Sequence, residues 1–183
     1  MPHNYQDLIQ LFEESFFLSH QTRLVKGDDE PVYLPANEQC SHHQIIFAHG
    51  YYASALHEIS HWCLAGDARR LIEDFGYWYL PDGRDAQQQK TFEQVEIKPQ
   101  AIEWAFCIAA GKQFNVSADN LNGAQADISV FKLAVFQQVQ AYLEKGFPKR
   151  AQQFIDVLAR FYQVNLPLKL EKFTLEKELA AYV

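Results

Sequence analysis

Residues 57–61 read His-Glu-Ile-Ser-His, two histidines four positions apart with a glutamate beside the first. On a helix, residues four apart share a face, with about 5–6 Å between Cβ atoms. Two neutral imidazoles placed this way can close on one ion at about 2.0–2.1 Å each. Glu58 is turned roughly 100° away from His57 by the helical pitch. It flanks the open side of such an ion, where it can take a proton from bound water or hold that water in place. The neighbours Ala53, Ala55, Leu56, Ile59, Trp62 and Leu64 predict a largely buried helix, and buried imidazoles need partners.

Two histidines do not complete a stable site, so a third ligand has to come from elsewhere. A ligand on a helix is held better than one on a loop. The stretch FEQVEIKPQAIEW, residues 92–104, carries Glu93, Glu96 and Glu103 on one side of a helix, and the three compete. Glu96 sits between Val95 and Ile97, which suits a carboxylate taken out of water and so paired or bound to metal. Glu93 has polar neighbours, and both Glu93 and Glu103 read as surface acids. His42 and His43 precede a strand in a polar stretch and read as solvated. His49 can be ligand, supporting group or turn residue, with the supporting role favoured. Two histidines and one carboxylate serve zinc hydrolases and non-haem iron(II) oxygenases alike, and spacing does not separate them.

The elements that must position these side chains follow from local signals. Asn4 caps a helix through Phe17, with Tyr5, Leu8, Leu11, Phe12 and Phe16 as its apolar stripe. Pro31 and Pro35 bracket a short edge strand, Val32 to Leu34. A second strand spans Ile45 to Ala48, and a third spans Gly76 to Leu80 before the Pro81-Asp82-Gly83 turn. The HEISH helix runs from about Tyr51 to Ala65 and stops at Gly66. Asp85 caps a helix to about Ile97, and Pro99 predicts a kink or restart before Gln100–Ala110. Asp127 opens a helix to Lys145, Pro148 begins the next to about Gln163, and Thr174 caps a last short one. The class is α+β: a small sheet with several packed helices.

The 183 residues are 48% hydrophobic, which predicts one domain over 1–183 with a real core. No apolar stretch approaches the roughly 20 residues of a membrane span, and the first residues read as no secretion signal. Three cysteines without a CxxC pair predict a reducing compartment, the cytoplasm. A formal charge of −7 argues against nucleic acid as the main partner.

Five blocks carry a longer resemblance: KGDDEPVYLP, FAHGYYASALHEISHWCLAG, FGYWYLPDGRDAQ, FEQVEIKPQA and FNVSADNL. In this order they resemble the elongation factor P hydroxylase family from about residue 20 to 122, and more loosely to about 165. The resemblance implies a zinc-metallopeptidase-like core around the HExxH helix that works as a monooxygenase. Its substrate is the β-lysylated lysine of translation elongation factor P. It implies metal ligands at His57, His61 and Glu96; with that ligand set, Fe(II) is the expected metal and dioxygen the co-substrate, and Glu58 is the expected catalytic residue, orienting bound water or a proton path. A lysyl arm needs acids at the entrance, and Asp28, Asp29 and Glu30 of KGDDEP are candidates. Tyr77 is a candidate slot wall and Arg84 a candidate partner contact. From the residues alone, a zinc peptidase with Glu58 as general base is the rival reading, and a metal-stabilised binding module is a third.

Overall fold

The computed structural model describes residues 2–77, 82–118, 120, 122 and 128–175. Among these, five helices surround a three-stranded sheet, an α+β arrangement.

Helix α1 spans Tyr5–His20, and the Asn4 side chain accepts from the Gln6 amide at its start. It runs past the expected end at Phe17 and closes on Gln21, at φ 47°. Leu8, Phe12 and Phe16 are fully buried. Strand β1, Thr22–Lys26, follows at once. Sequence reading missed it, because TRLVK is short and its partner lies about 20 residues away. Strand β2, Val32–Leu34, lies on the edge, as its flanking prolines predict. Strand β3, His43–Phe47, lies between the other two, parallel to β1 and antiparallel to β2. It starts two residues before the expected Ile45.

Helix α2 spans Tyr52–Leu64 and carries HEISH. One face packs Trp62 against Phe12 and Phe16, with ring centroids 5.1 and 4.8 Å apart. The helix end is tied down by arginines: Arg150 donates to the carbonyls of Cys63 and Ala65, and Arg70 also donates to Ala65. Cations at the carbonyl end of a helix stabilise it.

The expected strand from Gly76 to Leu80 does not begin where predicted. Residues Glu73–Gly76 form a tight 3-10 turn, with Asp74 and Phe75 left-handed at φ 49° and 57°. Such backbone costs on the order of 1 kcal/mol or more per residue unless its surroundings hold it. Here they do: Phe75 stacks on Tyr33 at 4.1 Å, and Asp74 Oδ1 accepts from the Tyr33 amide at 2.9 Å. Residues 78–80 of the expected strand lie outside the described residues.

Helix α3 spans Ala86–Ala109 and opens on a capping box of Asp85 with Gln88. It runs without a break through Pro99, so the expected restart is corrected. Proline removes one backbone donor, whereas residues 100–107 are all buried and hold the helix by packing. Helix α4 is Ile128–Lys145; its expected cap, Asp127, lies outside the described residues. Helix α5 is Lys149–Tyr162, with Pro148 one position ahead of it as the cap residue. The helix expected after Thr174 falls largely outside the described residues. Among the described residues no helix is long and apolar enough to cross a membrane.

Candidate metal centre

Because one face of α2 is locked into the aromatic core, its opposite face meets α3. There the side chains of His57, His61 and Glu96 converge, with one ligand atom from each lying within 4.8 Å of the others. The two Nε2 atoms are 3.2 Å apart. His61 Nε2 is 3.0 Å from Glu96 Oε1, and His57 Nε2 is 3.5 Å from Glu96 Oε2. Glu96 is fully buried and His61 nearly so.

This donor set fits a divalent cation. Nitrogens about 3 Å apart have the separation of two ligands sharing an ion at about 2.0–2.1 Å each. Glu96 Oε1 is buried and has no aligned hydrogen bond, and a buried carboxylate of this kind is paired or metal-bound.

The charges of the chain itself shift these groups. Burial pulls the His57 imidazole down, but Glu96 and Glu103 outweigh it and hold the ring up at about 10. Burial pushes the Glu96 carboxyl up, yet His61 and His57 overcome it and hold it at about 2. The Glu58 carboxyl is raised by burial, with the two imidazoles opposing.

Around the three donors the structure adds groups that sequence reading misplaced. Glu103, read as a surface acid, is 9% exposed, and its Oε2 lies 2.9 Å from His57 Nδ1. Gln100 lies between the two acids on the same face of α3. Its Nε2 donates to Ser117 O at 2.7 Å and lies 3.5 Å from Glu96 Oε2, while its Oε1 accepts from Ser117 N at 3.1 Å. The signal was present in the spacing 96, 100, 103, the i, i+4, i+7 stripe of a helix. Glu93 lies outside this group and accepts from Gln89 Nε2.

A cavity of about 580 Å³ opens over the centre. Glu58 lines it, as does Tyr77, whose ring centroid is 6.0 Å from that of His61 under the Arg69 guanidinium. Of the acids in KGDDEP, Glu30 reaches the cavity wall, whereas Asp28 and Asp29 do not line it. Asp28 is exposed and pairs with Lys26 at 3.0 Å. Asp74 is a wall residue that sequence reading did not single out.

Arg84 does not present itself to a partner. It is 1% exposed, donates to Gln89 Oε1 and the Ala118 carbonyl, and lies 3.8 Å over the Phe92 ring. His42 and His43 are half-buried instead of solvated, and His43 Nδ1 accepts from the Ala36 amide. His49 is an exposed turn residue at φ 51° beside Tyr51, and it does not line the cavity.

Two comparisons bear on this arrangement. A family model described as elongation factor P hydroxylase matches residues 11–173. A curated relative from Haemophilus influenzae, named Elongation factor P lysine hydroxylase, is 52% identical over 173 residues. The match covers 94% of this chain and 97% of the relative.

Proposed function

Because this chain belongs to the elongation factor P hydroxylase family, we propose that it hydroxylates the β-lysylated lysine of translation elongation factor P. The observation that carries the reading is the convergence of His57, His61 and Glu96 beneath an open cavity. We assign those three as ligands of a single metal-binding domain spanning the chain, working in the cytoplasm around a zinc-metallopeptidase-like helix pair. When bound, a redox-active ion, Fe(II) in this reading, would supply the chemistry by which dioxygen oxidises a C–H bond, one oxygen atom entering the bond and the other leaving as water with two electrons from a reductant.

The chain's own residues do the rest. The lysyl arm carries ammonium groups, and Glu30, Glu58 and Asp74 line the cavity it must enter. Acids on a concave wall raise the local concentration of a cationic substrate. Tyr77 and Phe92 form apolar parts of the wall and exclude water from the alkyl chain. Glu58, with its carboxyl raised by burial, can hold or pass a proton where it lines the cavity.

The zinc-peptidase alternative draws on the HEISH helix alone, with Glu58 as general base. One experiment separates the two. Metal-loaded protein is incubated with β-lysylated factor and a two-electron chemical reductant, in air and without oxygen, and the factor is weighed intact. The proposal expects a gain of one oxygen atom in air only. Cleavage fragments favour the peptidase, and full hydroxylation without oxygen rules out the oxygenase reading.

A further inference from the structure

We propose that Glu103 is a positioning residue, whose carboxylate accepts a hydrogen bond from Nδ1–H of His57 and so keeps the Nε2 lone pair of that ring turned toward the metal centre. The inference rests on the reading of His57, His61 and Glu96 as ligands. Glu103 Oε2 lies 2.9 Å from His57 Nδ1, on the side of the imidazole opposite the one that faces Glu96 and His61. A neutral imidazole has one N–H and one lone pair. An acceptor at Nδ1 therefore fixes the N–H there and leaves Nε2 as the ligand atom.

The residue is placed for this by the element that carries Glu96. Glu96 and Glu103 are two turns apart on α3, so one rigid helix supplies both a ligand and the group that orients its neighbour. Burial makes the contact selective: Glu103 is 9% exposed and Glu96 is 0% exposed. A simple ion pair could form at either ring nitrogen. Here one carboxylate faces each nitrogen of His57, which separates the two roles. An acceptor at the second nitrogen of a ligating histidine also raises its basicity, and its loss typically costs about 10- to 100-fold in metal affinity.

The test uses the full chain, zinc as probe and a competing chromophoric chelator. His61→Ala serves as the ligand control. Zinc affinity is expected to fall about 10- to 100-fold in Glu103→Ala, with partial recovery in the nearly isosteric Glu103→Gln. In zinc-loaded parent, nitrogen-15 spectra of labelled histidine are expected to show His57 protonated at Nδ1 and ligated at Nε2, with that proton signal lost in Glu103→Ala. Where Glu103→Ala does not fold, Glu103→Leu, which keeps the bulk and removes the acceptor, carries the same comparison. A Glu103→Ala affinity within about twofold of the parent overturns the inference, as does a bare Nδ1 in the loaded parent. A parent that binds no zinc, or a His61→Ala variant that binds it as tightly, overturns the ligand reading and the inference with it.

Discussion

His61 Nε2 stands 3.0 Å from Glu96 Oε1 and joins the last turn of α2 to the middle of α3. If both atoms grip one cation, the folded state binds metal through a contact the unfolded chain lacks. Zinc at about 100-fold above its dissociation constant should then stabilise the parent by about 2.7 kcal/mol. Glu96→Gln keeps the volume and removes the charge, so its melting temperature should not respond to zinc, and neither should that of His61→Ala. Thermal melts with chelator and with zinc decide it. An equal rise in Glu96→Gln removes Glu96 from the ligand set.

Glu58 lines the cavity beside the ligands but is not one of the three converging donors. Its substitution should therefore separate chemistry from metal binding. Glu58→Gln should retain bound metal and lose about 100-fold or more in turnover, the usual size of a lost acid–base contribution. Metal analysis alongside intact-mass assays reads both. Undiminished turnover leaves Glu58 as a wall residue only.

The cavity wall holds Glu30 and Asp74, whereas Asp28 is turned outward onto Lys26. Glu30→Gln and Asp74→Asn should each raise KM several-fold for a cationic substrate, an effect that salt should weaken. Asp74→Asn is the cleaner probe. The amide oxygen can still accept from Tyr33 N, and asparagine tolerates left-handed backbone. Asp28→Asn should leave KM unchanged. A KM that follows Asp28 and ignores Asp74 reverses the assignment.

His43 should make folding sensitive to acid. Burial pulls its imidazole below the usual 6.5, with Arg70 and His42 adding to it, and its Nδ1 accepts from the Ala36 amide at 3.0 Å. The folded state thus binds the proton less readily than the unfolded chain. Its contribution is fully present above the unfolded value and is lost as pH falls through it. His57 has the opposite sign, so the comparison is made on zinc-loaded protein. Between about pH 7 and about pH 5, the parent should lose more stability than His43→Asn. Parallel curves for the two proteins remove His43 as the cause.

Much of the positioning machinery was legible because its causes are local. Asn4 and Asp85 cap helices through bonds that span two or three residues. Pro31 and Pro35 mark an edge strand by what they cannot donate. The histidines at 57 and 61 share a face by helical pitch alone. Those signals are carried by a few consecutive residues, so a reading of the chain recovers them.

What tertiary structure decided depends on partners far apart in the chain. TRLVK is a strand because His43–Phe47 lies beside it. Asp74 and Phe75 stay left-handed because Tyr33, about 40 residues earlier, holds both. Pro99 leaves α3 unbroken because the residues after it are packed on every side. Glu103 and Arg84 look like surface residues in sequence and are buried in the fold, one against His57 and the other against Phe92. Burial of a charge is decided by the groups that neutralise it. For these residues those groups arrive from other segments, so no window of sequence contains the answer.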